Sequence, residues 1–184
     1  MAYFVPQHVR DQLQYELQGG PPNFRRSVSA AFGPDMLVKK DTLQRASNAV
    51  LTRDDDLSVK VIGPGAAGVP YLVTLNLFVT TAATPGFQFD MAGGTATFST
   101  FRGFSRFVTA AGAATTIIDV TAANTANNPA AAAFVSVQYQ GIAICTGSGT
   151  LAVRWAQSVS NATAAQVLAG SYMLCEPMLL MNTR

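Results

Sequence analysis

The sequence predicts an all-β protein, with eight to ten strands in two stacked antiparallel sheets behind a short N-terminal helix and an extended arm. Three observations carry that prediction. Apolar residues alternate with polar or small ones from Tyr71 to Thr80 and from Leu151 to Ala156, the period of a strand with one buried face. Gly and Pro clusters such as Gly63-Pro64-Gly65, Pro85-Gly86 and Gly93-Gly94 punctuate the alternating segments. Helical spacing occurs only near the start, where Val9, Leu13 and Leu17 recur every fourth residue.

In chain order, Pro6 suits a first helical turn, where its missing N–H costs little. The helix runs to Gly19-Gly20, which ends it, and Pro21-Pro22 prevents a restart. One narrow apolar stripe over about a dozen residues makes a marginal helix that needs a surface to lie on. Residues 22–34, PNFRRSVSAAFGP, scatter Phe24, Val28 and Phe32 among small and basic residues and read as an extended arm. An apolar helix followed by exposed phenylalanines is not the composition of a solvated tail, so the segment is expected to order on a partner. We divide the chain into an N-terminal helix and arm, 1–41, and a β domain, 42–184.

Within the β domain, Ala49–Thr52 and Leu57–Ile62 read as strands flanking an acidic turn, Arg53-Asp54-Asp55-Asp56. Strand Tyr71–Thr80 follows the Gly63–Gly68 break. Phe87, Phe89 and Met91 alternate after Pro85-Gly86, and Phe98, Phe101, Phe104 and Phe107 supply core aromatics along the next two strands. Thr115–Val120 is short and β-branched. Ala122–Ala133 contains Pro129 and reads as a loop, and Phe134–Cys145 alternates again. In the last pair, Leu151, Val153 and Trp155 share one face, and a lone Trp there is expected to anchor the core. Gln157–Ala165 is small and polar, and Val167–Leu174 resumes an apolar strand.

Only 12% of the 184 residues are charged, against about 25% in an ordinary soluble domain. Fifteen of the 22 charges lie between Arg10 and Lys60, which leaves seven for the rest of the chain. So neutral a β domain suits burial of its surface against other subunits. The net charge of +2 comes from interleaved signs, with no basic stripe, so no nucleic-acid partner is expected. No apolar run is long enough to cross a membrane as a helix. His8 is the one histidine and no His/Cys cluster could close a zinc site. Asp90, Asp119 and Glu176 are too scattered to make an acid–base pair. Gly63–Gly68 lacks the Lys-Ser/Thr of a phosphate loop. The Asp54–Asp56 run reads as a solvated turn, since adjacent carboxylates do not share a face and a calcium site needs more oxygens. No catalysis, cofactor or metal is expected. Cys145 and Cys175 lie in neighbouring strands, with a buried thiol the commoner fate and a bridge the alternative.

Two segments carry a family resemblance. G-T-L-x-V-x-W-A-Q-x-x-S-x-A-T from Gly149, followed by V-L-A-G-S-Y, resembles the closing hairpin of a β-sandwich domain common in virion proteins of tailed bacteriophages. S-N-A-V-L-T-R-D-D-D-L-S-V-K-V from Ser47 and Y-L-V-T-L-N-L-F-V from Tyr71 resemble its opening strands. The resemblance covers roughly Thr42 to Pro177. It implies a jelly roll of the tumour-necrosis-factor type, a homotrimer, and a place in the virion after synthesis in the host cytoplasm. The expected function is therefore a head decoration, or cement, protein whose partner is the major capsid protein or another virion protein. The alternative is a small tail-fibre or collar protein whose sandwich binds a host receptor or glycan. Attachment is expected from residues 1–40, through Val9, Leu13, Leu17, Phe24, Arg25, Arg26 and Phe32. Tyr71, Phe98 and Tyr139 are the candidates for the trimer axis, and Trp155 for the core anchor.

Overall fold

Two long strands organise the molecule. In a computed structural model, which describes residues 36–110, 115–129 and 132–178, nine strands follow one another and no helix occurs among those residues. They are β1 (Met36–Val38), β2 (Leu43–Arg45), β3 (Thr52–Thr80), β4 (Gln88–Asp90), β5 (Thr97–Thr109), β6 (Thr115–Val120), β7 (Phe134–Ala156), β8 (Ala165–Val167) and β9 (Tyr172–Pro177). The main path of the sheet is β1-β9-β3-β7-β5-β6, and every strand pairing is antiparallel. β4 pairs with the last residues of β7, while β8 bridges β2 to the end of β3.

β3 pairs with β7 along nearly its whole length, from Thr52 opposite Trp155 to Phe78 opposite Ser136. The breaks expected within these segments are bulges instead. Gly63–Gly68 does not end a strand, because the register shifts on either side of Pro64 absorb the extra residues. The acidic run is likewise a bulge inside β3, with residues 54–57 fitted between Arg53 opposite Arg154 and Ser58 opposite Ala152. A bulge lets a strand turn without losing its partner, which composition alone does not distinguish from a true turn.

One cluster of buried side chains lines a single face of this sheet. It takes Leu57, Val59 and Val61 from the first half of β3, Tyr71 to Val79 at alternate positions from the second, and Val137, Tyr139, Ala143 and Cys145 from β7. Phe87 stacks on Trp155 with centroids 5.7 Å apart, and Phe107 packs between Phe89 and Phe134.

The division after residue 41 has to move. Met36–Val38 is already a sheet strand, paired with β9 from Met36 opposite Leu174 to Val38 opposite Tyr172. Lys39 is 3% exposed. Residues 36–41 therefore belong to the β domain. The expected helix and most of the arm lie outside the described residues.

Candidate functional site

The described chain is pinned at its start by a buried charge cluster. Lys39 Nζ donates to Asp54 Oδ1 at 2.9 Å and to Asp56 Oδ2 at 3.1 Å. Asp54 Oδ2 accepts from Trp155 Nε1 at 3.0 Å. Arg45 lies over the indole, its Cζ 4.1 Å from the ring centroid, and donates to the carbonyls of Thr52, Arg53 and Trp155. Burial holds the Arg45 guanidinium below its usual pKa, with Asp54 opposing that shift. The expected solvated turn is thus corrected at its first carboxylate. Asp54 is 1% exposed because the bulge turns it inward, whereas Asp55 points outward to Arg53. Asp54 and Asp56 converge on the Lys39 ammonium while Asp55 turns away, and no group of His, Cys, Asp or Glu able to hold a metal ion occurs among the described residues.

A second polar knot closes the loop after β7. Gln157 is fully buried; its Oε1 accepts from the backbone N–H of Asn48 and Asn161, and its Nε2 donates to the carbonyls of Asn161 and Thr163. Arg154 and Asp90 pair through Nε at 2.9 Å, which holds the Arg154 pKa above its usual value. These groups are positioned to hold the fold, tying β1, β3, β4 and β7 together through side-chain bonds.

The accessible features lie elsewhere. The face of the sheet turned away from the core carries rows of residues set by the register: Leu72–Ile142–Arg102, Thr74–Gln140–Phe104–Asp119, and Asn76–Gln138–Arg106–Ile117. On it Phe78, Phe104, Ile117 and Ile142 are 41%, 49%, 67% and 42% exposed. A shallow depression of about 150 Å³ lies in its centre, bordered by Asn76, Phe104, Arg106, Gln138 and Tyr172. A larger cleft of about 580 Å³ opens along the first half of β5, walled by Thr97–Arg102 on one side and Thr121–Asn124 on the other.

Of the residues expected to act, Val9, Leu13, Leu17, Phe24, Arg25, Arg26 and Phe32 lie outside the described residues. Tyr71 and Tyr139 do not line a surface. Each is 1% exposed in the single chain, so neither ring is presented to a neighbouring copy. The correction has a physical reason, since both stand on the core face of their strands: Tyr71 bonds the backbone of Ile62 and Tyr139 stacks on Phe101. Their alternation with polar residues marked a buried face, not an axis. Phe98 is partly exposed and borders the large cleft, edge-on to Phe101 at 5.4 Å. Trp155 is fully buried. Phe104, expected among the core aromatics, is exposed instead, and it, Phe78 and Ile142 each fall at the off-phase position of an alternating strand and so stand on the outer face.

Cys145 and Cys175 are both buried on strands flanking β3, and burial raises the Cys145 thiol pKa. No helix of the described residues is long and apolar enough to cross a membrane. The chain matches no protein-family model, and no curated protein matches it.

Proposed function

We propose that this chain is a structural protein of a tailed-phage virion, a head decoration protein that trimerises and attaches to the shell through its N-terminal segment. The observation that carries the reading is the outer sheet face. The core lies on one side of the sheet, yet the other side exposes Phe78, Phe104, Ile117 and Ile142 among amides and hydroxyls, with Arg102, Arg106 and Asp119 as its charges. Several large apolar side chains exposed on one sheet face suit association. The resemblance of Ser47–Val61 and Gly149–Tyr172 to virion β-sandwich domains gives it a setting, and the jelly-roll arrangement of the sheet belongs to the same proposal. Attachment falls to the N-terminal segment, because the sequence there predicts a helix on which Val9, Leu13 and Leu17 make a narrow apolar stripe that needs a surface to lie on.

A second reading, a tail-fibre or collar protein that binds a glycan, draws on the depression bordered by Tyr172, Phe104, Asn76, Gln138 and Arg106. Aromatic faces beside amides and a guanidinium are suitable chemistry for a saccharide. Imaging of intact particles with the chain labelled separates the two. Label over the head surface supports decoration, label at the tail or its fibres supports the second reading, and unlabelled particles overturn both.

A further inference from the structure

The cleft beside β5 has the form of a vacant strand position. β6 pairs with β5 from Gly103 opposite Val120 to Val108 opposite Thr115. Past Val120 the chain leaves the sheet, and Met91 N–H donates to the Ala123 carbonyl, which carries the 121–124 segment away from β5. Among the described residues no strand pairs with the side of Thr97–Arg102 opposite β7. The cleft is walled by that unbroken run of six residues, consistent with a strand bordering it along its edge. An open edge is a template for another strand unless it is charged, shortened or covered. Here Arg102 is the one charged residue, and the run contains no Pro or Lys. A register shift at Ser99 brings Phe98 into edge contact with the buried Phe101, so the edge offers one partly exposed aromatic ring as well as backbone groups.

We propose that this lane receives residues 27–32 of a second copy of the chain, added as a strand to β5. The proposal rests on the trimer expected above and names how its copies join. The segment reads Ser27-Val28-Ser29-Ala30-Ala31-Phe32, so in extended form Val28, Ala30 and Phe32 share one side and Ser27, Ser29 and Ala31 the other. The first side suits the partly exposed Phe98, and the small residues suit walls built from Ala92, Ala96, Ser99 and Ala122. Distance along the sheet favours a neighbour as the source of the segment. Phe32 is four residues from Met36, which extended chain covers in at most ~14 Å. Met36 stands in β1, and the vacant lane is five strand positions away along β1-β9-β3-β7-β5, ~24 Å at ~4.8 Å per strand. Donation from copy to copy is directional, and such head-to-tail contacts close into rings.

The test uses the full chain. Val28→Asp/Phe32→Asp should abolish the trimer seen by light scattering while leaving the circular dichroism of the β domain unchanged. Cross-linking supplies an independent measurement. Ser29→Cys or Ala30→Cys on one chain, mixed with Thr100→Cys on another, should give a disulfide-linked dimer of the two different chains. A trimer that survives the double substitution overturns the proposal, as does a cross-link that forms only when both cysteines share one chain. A surviving trimer whose Thr100→Lys variant no longer binds particles would assign the lane to a strand of another virion protein. A wild-type chain that is monomeric overturns this inference together with the trimer on which it rests, a result distinct from a trimer indifferent to the arm.

Discussion

Lys39, Asp54 and Trp155 show how much a single inward-turned carboxylate decides. Asp54 satisfies a buried ammonium and a buried indole N–H at once. Asp54→Ala should cost up to about 3–5 kcal/mol in urea unfolding, because it takes from the buried Lys39 one of its two carboxylates and leaves the buried Trp155 N–H unpaired. Changing Lys39 to Met at the same time should recover part of that loss, because no unpaired charge then remains in the core. Tyr139 presents the opposite case, for its hydroxyl is buried without a hydrogen-bond partner. Burial raises the pKa of Tyr139, and it raises that of Tyr71 against the opposing hydrogen bond from Ile62. Above about pH 10, where unfolded tyrosine loses its proton, the folded chain retains both protons, so the unfolded state binds fewer. Stability therefore falls as pH rises. Thermal melts from about pH 8 to about pH 11 should show that decline. Tyr139→Phe should flatten it and raise stability at neutral pH by up to about 3 kcal/mol, since it removes a polar group that burial leaves unmatched.

At the scale of elements, alternation made the strands legible but not their continuity. The period-2 pattern of Tyr71–Thr80 marks the core residues correctly, because Tyr71, Val73, Leu75, Leu77 and Val79 are all buried. The same pattern cannot show that Thr52–Thr80 is one strand, since a bulge and a turn use the same Gly, Pro and Asp residues. Nor did it reveal why Gly103 and Gly141 face each other across β5 and β7. Tyr139 lies over that pair: a Cβ on either glycine would meet its hydroxyl, and one on Gly141 would also meet the Arg102 carbonyl. Gly141→Ala should destabilise the domain by about 1–3 kcal/mol through overpacking. Combining it with Tyr139→Phe should fail to restore the lost stability, because the Arg102 carbonyl is backbone and cannot move aside. Recovery in the double variant, measured by denaturant midpoint, would assign the strain to the phenol instead.

For the whole molecule, the sequence separated an apolar, charge-rich N-terminal region from a neutral β domain, and the structure moves the dividing line to before Met36. That shift makes truncation a graded experiment. A chain beginning at residue 21 lacks the Val9-Leu13-Leu17 stripe but keeps residues 27–32, so it should remain trimeric and lose attachment to particles. A chain beginning at residue 35 keeps β1 and Lys39 and should fold with the full-length melting temperature, but as a monomer if the arm joins the copies. A chain beginning at residue 41 loses β1 from the edge of β9 and removes the ammonium between Asp54 and Asp56. Asp54, buried when Lys39 is present, then keeps only the Trp155 N–H among these partners. That last step should lower stability by about 3–5 kcal/mol, as expected for an orphaned buried charge. Light scattering follows the loss of the trimer and thermal melting follows the loss of β1. If the chains beginning at 35 and 41 melted together, the buried pair would contribute nothing, and Lys39 would be a passenger on the arm instead of the residue that fastens it.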